Sequence, residues 1–451
     1  MTNMDDKPDE DRSIAVPSGR LSRLGHMGAM TFGVMGNMVV NGAAQLGRGQ
    51  RPVMKDLLLT PKNITRVTDQ LSKMRGAAMK IGQLVSMDSG DFLPPELAQI
   101  MTRLRNDAHP MPPAQLKQVL NAQWPDGWLK SFTKFDVRPI AAASIGQVHR
   151  AQLKDGRDLA MKIQYPGVAN SIDSDVANVG ALIRMSGLLP KGFELAPYLQ
   201  EGRKQLHDET DYALEGAQLM RFQSLLGNTP QFVVPTRHAD WSTPQILAMD
   251  YVTGIPIEDA ENDSQTVRDQ IITNLLDLTF RELFEFGLMQ TDPNFANYLY
   301  QTDTQQIVLL DFGAVRAIDP AVRDQYRALI RAGLNDDLDD ILKAAHDIGL
   351  IDTSTRDAHR VKIAQMIRRA FGAIRDGRAF DFSQDDLPQQ LQRDGLALFE
   401  DGFVPPVLPM DVLLIQRKFA GIFLLAARLR ARIDLADLLQ CHVRTPDLPA
   451  H

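Results

Sequence analysis

Cysteine is almost absent: Cys441 stands alone in 451 residues. A single thiol excludes internal disulfides and zinc sites built on paired cysteines, and it fits a reducing compartment. The nine histidines include no H-x-x-H or H-E-x-x-H spacing, which sets aside zincin-type metal chemistry. Positive charge is not in excess either. Lys and Arg number 49 against 56 Asp and Glu, net −7, so no nucleic-acid partner is expected. With 44% hydrophobic and 23% charged residues the composition is that of a globular chain, long enough to bury a full core.

Targeting signals are also lacking. The first twelve residues carry Asp5, Asp6, Asp9, Glu10 and Asp11 against Lys7 and Arg12, where a secretory or transit signal needs basic, acid-poor sequence. The expectation is a cytoplasmic protein, either free or peripheral on the inner membrane. From Leu24 to Gly47 there is no Asp, Glu, Lys or Arg, but six glycines with His26, Asn37, Asn41 and Gln45 dilute the run below a spanning helix. Its small-residue stripe at Gly25, Ala29 and Gly33 suits close helix packing or a membrane surface.

Residues 1–20 read as a disordered tail, 21–130 as a helical extension, 131–255 as a sheet-bearing lobe and 256–445 as a helical lobe. Val67, Leu71, Met74, Ala78, Ile81 and Val85 form one apolar helical stripe, and Lys73, Gly76, Lys80 and Gln83 a second. Phe132 to Val137, Gly146 to Leu153 and Asp158 to Gln164 read as strands, with Asp155-Gly156 as a hairpin turn. Helices follow from Ser171 to Leu226, then strands at Phe232 to Pro235 and Gln245 to Tyr251. Ile307 to Leu310 reads as a buried strand. Everything beyond Pro320 reads as helix, most apolar from Val412 to Leu429.

The chemistry is concentrated in Asp292-Pro-Asn-Phe-Ala-Asn297, an apolar strand, and Asp311-Phe-Gly313. Kinase catalytic loops have the form D-x-x-x-x-N followed by D-F-G. One carboxylate, Asp292, serves the attacking oxygen, while the amide of Asn297 and the carboxylate of Asp311 are hard oxygen donors for Mg²⁺ on ATP phosphates. A lone D-F-G is a weak signal; both elements in order are a strong one. Leu159-Ala-Met-Lys162 matches the strand-borne kinase lysine, although taken alone it reads rather as an edge-strand lysine facing solvent. Where a kinase carries a glycine-rich phosphate loop stands Ala141-Ala142-Ala143-Ser144. Each Cβ limits how closely backbone approaches phosphate, so the nucleotide is expected in an altered pose.

Taken together, these motifs resemble the UbiB family of atypical, protein-kinase-like kinases linked to coenzyme Q (ubiquinone) biosynthesis. K-x-G-Q at Lys80–Gln83, the A-A-A-S loop, E-x-D at Glu209 and Asp211, Asp292-Pro-Asn and D-F-G occur in family order, over roughly residues 20 to 440. The resemblance implies an α+β, bilobal kinase-like fold whose N-terminal helical extension covers the active site. It implies Asp292, Lys162 and Lys80 as catalytic residues, and Ala141 to Ser144, Lys162 and Glu215 as nucleotide-binding. Asn297 and Asp311 would hold metal. Glu215 would pair with Lys162, and Glu209 with Asp211 would face Lys80, forming a latch with Gln83.

The implied cofactors are ATP or ADP with Mg²⁺, or Mn²⁺ in its place. The implied partners are a lipid or quinone precursor, a membrane surface, other ubiquinone-biosynthesis enzymes and a second copy of the chain. The chain departs from protein kinases in lacking H-R-D before the loop and A-P-E after D-F-G. An ATPase handling quinone precursors is therefore the leading expectation. A small-molecule or protein kinase, and a non-catalytic lipid-binding scaffold, are the alternatives.

Overall fold

Residues 74–89, 111–186 and 194–443 are described by the structure, a computed structural model; the acid-rich start, the 24–47 stretch and most of the 21–130 extension lie outside them. The chain divides into two units, Met1–Met220 with Thr236–Val252 and Arg221–Pro235 with Thr253–His451.

The first unit is organised by an antiparallel sheet in the order Phe132–Phe135, Gly146–Leu153, Asp158–Gln164, Ile246–Asp250, with Ala141–Ala142 also paired to the second of these. The hairpin between 153 and 158 turns on Gly156 at φ 96°, a conformation that favours glycine. Alternation along Asp158–Gln164 divides its side chains. Leu159, Met161 and Ile163 enter a core with Leu153, Ile246 and Ala248, while Lys162 and Gln164 reach Glu215 and the Thr210 carbonyl. All three tryptophans, with Phe132 and Phe135, pack together on the first of these faces.

Helices Arg75–Ser89, Ile172–Ser186 and Ala196–Glu209 pack against one another in the same unit. Close approach is built in at Gly202, where a Cβ would come within 2.2 Å of Ile81 Cδ1.

In the second unit, helix Gln265–Arg281 is capped by Ser264 and runs into a wide π-turn, Glu282–Phe286, that ends at Gly287 with φ 62°. Strand Leu288–Gln290 then pairs with Val315–Ala317. Phe232–Val233, Gln306–Leu309, Tyr298–Gln301 and Ile255–Pro256 form a second sheet in that order. Helices from Pro320 to Val443 complete the unit. Among them, Met410–Leu429 buries ten side chains or glycine positions and packs on Gln265–Arg281.

The expectation of helix alone after Pro320 is corrected. Phe380–Asp381 pairs with Arg432–Ile433, two segments too short to show alternation.

Candidate functional site

In the first unit, Lys162 lies on an interior strand, flanked by Gly146–Leu153 and Ile246–Asp250, so the edge-strand reading does not hold. Its Nζ donates to Glu215 Oε1 at 2.6 Å, with both side chains buried. The ammonium also lies 5.3 Å from the Tyr212 ring centroid. Two charges out of water are tolerable only when paired at such distance, so the contact fixes the lysine's direction as well as its charge.

E-x-D straddles a junction between two helices. Glu209 ends Ala196–Glu209, and Asp211 precedes Tyr212–Leu225. The break lets Glu209 and Glu215 serve different lysines: Glu209 forms an ion pair with Lys80, and its Oε2 accepts from Ser144 Oγ at 2.7 Å. Lys80 is thus buried on the helix rather than solvated.

Asp211 does not join this pair. It is exposed, and its Oδ1 accepts from the Ala213 and Leu214 amides at 3.0 Å. That is an N-cap, and it turns Asp211 Oδ1 to its own helix rather than to Lys80. Gln83 lies on the same helix as Lys80, but its side chain falls outside the described residues.

The alanine loop is a tight hairpin. Ala141 and Ala142 pair with Val148 and Gln147, and the Ala143 amide donates to the Gly146 carbonyl at 2.9 Å. Helix Arg75–Ser89 comes against it at Gly76, whose Cβ would lie 3.2 Å from the Ser144 carbonyl oxygen. Loop, helix and Glu209 are therefore held as one assembly.

In the second unit, the Leu310 amide donates to the Asn297 carbonyl at 3.0 Å, bringing the D-x-x-x-x-N loop beside Asp311. Asn297 Nδ2 donates to the Asp292 carbonyl at 3.4 Å, which directs the amide oxygen away from it. Asp311 Oδ1 accepts from the Gly313 amide at 2.9 Å, and Phe312 is buried against Phe222. Asn297 and Asp311 line one small cavity with Glu282, Gln290, Tyr298 and Lys418. No cluster of three or more His, Cys, Asp or Glu able to hold a metal occurs among the described residues. One amide and one carboxylate suit Mg²⁺, which keeps waters and phosphate oxygens in its shell and needs no all-protein cage. The donor set fits.

Sequence reasoning misses the groups behind this loop. Arg417 Nη2 lies 3.1 Å from Asp292 Oδ1. Lys418 Nζ donates to Tyr298 Oη at 2.9 Å and Gln290 Oε1 at 3.2 Å, and stands 3.6 Å from Glu282 Oε2. Burial pushes the Glu282 carboxyl up to about 7 despite the attraction of Lys418. Lys418 is wholly buried, yet the attraction of Glu282 and Tyr298 outweighs desolvation and holds its ammonium above the ordinary lysine value. The available signal is Arg417-Lys418 in the middle of a strongly apolar helix, where two adjacent cations need partners.

A paired strand lysine, a D-x-x-x-x-N loop and a D-F-G element define a protein of the kinase-like class. The ABC1 atypical kinase-like domain model matches residues 103–345, and the chain belongs to that family. It is similar to "Atypical kinase COQ8, mitochondrial" of Saccharomyces cerevisiae, with 37% identity over 97% of this chain and 87% of that one. It is likewise 37% identical to "Atypical kinase COQ8B, mitochondrial" of Rattus norvegicus, over 96% of this chain and 82% of that one. Among solved structures it resembles Mycobacterium tuberculosis Rv3197, described in complex with erythromycin. That match has a TM-score of 0.59 and 26% identity, and covers 84% of this chain and 94% of the other. The fold is kinase-like α+β, and the chain is an ATP-dependent enzyme of the kinase/ATPase type.

Proposed function

We propose that the chain is an atypical kinase that turns over Mg-ATP in support of ubiquinone biosynthesis, by ATP-driven handling of lipid-like quinone precursors at a membrane surface. The observation that carries this reading is the complete phosphate-handling set. In the first unit Lys162 is held by Glu215; in the second Asn297 and Asp311 line one cavity, and Asn297 Nδ2 donates to the Asp292 carbonyl. A non-catalytic scaffold has no need of buried charges, which destabilise a fold unless partnered.

In this reading Asn297 and Asp311 hold Mg²⁺ or Mn²⁺, which when bound neutralises phosphate charge. Lys162 orients the phosphates, and Asp292 orients the attacking hydroxyl or water through Oδ2, which accepts no hydrogen bond from a described residue. The Ala141-Ala142-Ala143-Ser144 hairpin bounds the nucleotide. Lys80 and Glu209 tie the 75–89 helix to that hairpin, acting as a latch whose proposed third member is Gln83.

The short stretch after D-F-G disfavours a protein-kinase output. Strand Val315–Ala317 is already paired with Leu288–Gln290, and helix Pro320–Asn335 begins at once, capped by Asp319. No span of activation-loop length separates them. No helix among the described residues is long and apolar enough to cross a membrane, so a surface association is the membrane role proposed. Other quinone-biosynthesis enzymes and a second copy of the chain are the proposed protein partners, and residues 21–130 are proposed as the regulatory extension.

The test is ATP turnover with Mg²⁺, with and without phosphatidylglycerol vesicles and a phenol-headed quinone-precursor mimic. Turnover stimulated by both additives and absent in Lys162→Met supports the reading. Turnover equal with and without either additive overturns the lipid assignment.

A further inference from the structure

Helix Met410–Leu429 is rich in buried apolar side chains, yet four of its positions turn toward the catalytic and D-F-G segments. Asp411 Oδ1 accepts from Arg316 Nε at 2.7 Å, and its Oδ2 accepts from the Asp319 amide at 3.3 Å, just after D-F-G. Arg417 meets the Asp292 carboxylate. Lys418 meets Gln290 and Tyr298, which bracket the D-x-x-x-x-N loop, and Glu282 on the π-turn before it. At Gly421 a Cβ would lie 2.3 Å from Pro293 Cβ, so the helix backbone abuts the loop itself. At 100° per residue these four positions fall within an arc of about 120°, one face of the helix.

The face is expensive as a purely structural device. Lys418 and Glu282 are each 2% exposed, and apolar residues of like volume often serve stability as well or better than a buried ion pair. What charge adds here is direction. Arg417 takes Oδ1 of Asp292 and leaves Oδ2 open. The Asp292 carbonyl, on the same residue, accepts from Asn297 Nδ2, so whatever fixes residue 292 also fixes the metal-facing amide.

We propose that this helix is the buttress of the catalytic loop and that Arg417 is a positioning residue for Asp292, acting on the chemical step rather than on nucleotide binding. The proposal rests on the assignment of Asp292 made above. Arg417 sets where the carboxylate stands, Lys418 sets the two ends of the loop, and Gly421 sets their separation from the helix.

The test is steady-state ATP turnover, with nucleotide affinity measured separately, in Arg417→Met, Arg417→Lys, Gly421→Ala, Asp292→Asn and the Arg417→Met/Asp292→Asn double variant of the full chain. Arg417→Met is expected to lower kcat about 10- to 100-fold, the scale of a misplaced reacting group, with ATP affinity within about twofold of wild type. Arg417→Lys should recover part of the loss. Gly421→Ala, which alters no charge, should show the same split between kcat and affinity. The double variant should be no slower than Asp292→Asn alone, because the two act as one unit.

Wild-type kcat in Arg417→Met, with Asp292→Asn inactive, overturns the buttress while leaving the role of Asp292 intact. Multiplicative losses in the double variant overturn it too. Wild-type kcat in Asp292→Asn removes the assignment of Asp292 and the buttress with it. If Arg417→Met shows no cooperative melting transition, Arg417→Lys and Gly421→Ala decide the matter on the same criteria.

Discussion

At the residue scale, the site is a set of charges held in place by burial. Lys162→Met leaves Glu215 buried without its cation, and breaking such a pair costs about 3–5 kcal/mol. Lys162→Met with Glu215→Gln should recover most of that stability in chemical denaturation but none of the nucleotide binding. Recovery of both would mean that Lys162 is structural only. Glu282 supplies a pH dependence. Its carboxyl titrates near 7 in the fold against an ordinary 4.5, because burial disfavours its charge. The native state therefore binds more protons than the unfolded chain between these values. Stability should fall as pH rises from about 4.5 to 7 and level off above, and Glu282→Gln should remove that slope. An identical slope in the variant, read from Tm against pH, would contradict this.

Lys162 is ambiguous in sequence and Asp292 is not, and the difference lies in where their partners stand. D-x-x-x-x-N and D-F-G are local, so spacing alone displays them. Whether Lys162 is interior depends on Ile246–Asp250 pairing beside it, more than eighty residues later. Arg417 and Lys418 are harder still. Their partners at 282–298 are over a hundred residues away, and an apolar helix reads as core whatever its charged face touches. Asp211 misleads for the opposite reason: a local role as helix cap outcompetes the distant ion pair that motif order implies.

At the element scale, Glu209 is shared. It joins helix Arg75–Ser89 through Lys80 and the alanine hairpin through Ser144. Removing the shared member releases both elements, so Glu209→Ala should destabilise more than Lys80→Ala or Ser144→Ala, by about 1–3 kcal/mol for buried charged hydrogen bonds. Lys80→Ala and Glu209→Ala should be non-additive in chemical denaturation. Strict additivity would show that the two do not act as a latch. In the hairpin, Ala142→Gly frees the backbone at a stability cost of up to about 1 kcal/mol. It should change the preference between ATP and ADP, measured by calorimetry. Unchanged affinities for both would leave the alanines with a structural role alone. The exact strand bounds at Gly146–Leu153 and Asp158–Gln164 are legible because alternation and a glycine turn specify them locally. Ala141–Ala142 is not legible as a strand, since two residues hold no period.

At the scale of the whole molecule, each unit brings its own part of the chemistry. The first orients a lysine through Glu215 and holds the alanine hairpin against a helix. The second brings the Asn297 amide and the Asp311 carboxylate to one cavity and backs the Asp292 loop with a charged helix face. Family membership accounts for the order of these parts along the chain. The buried charges account for why each part keeps its geometry. The most direct test of an Mg-dependent nucleotide site is the thermal stabilisation of the full chain by ATP, measured with Mg²⁺ and with EDTA, in wild type and Asp311→Asn. Stabilisation is expected only for wild type with Mg²⁺, because Asp311→Asn removes both a charge and the proposed metal ligand. Equal stabilisation of the two proteins, or stabilisation that survives EDTA, would contradict the assignment.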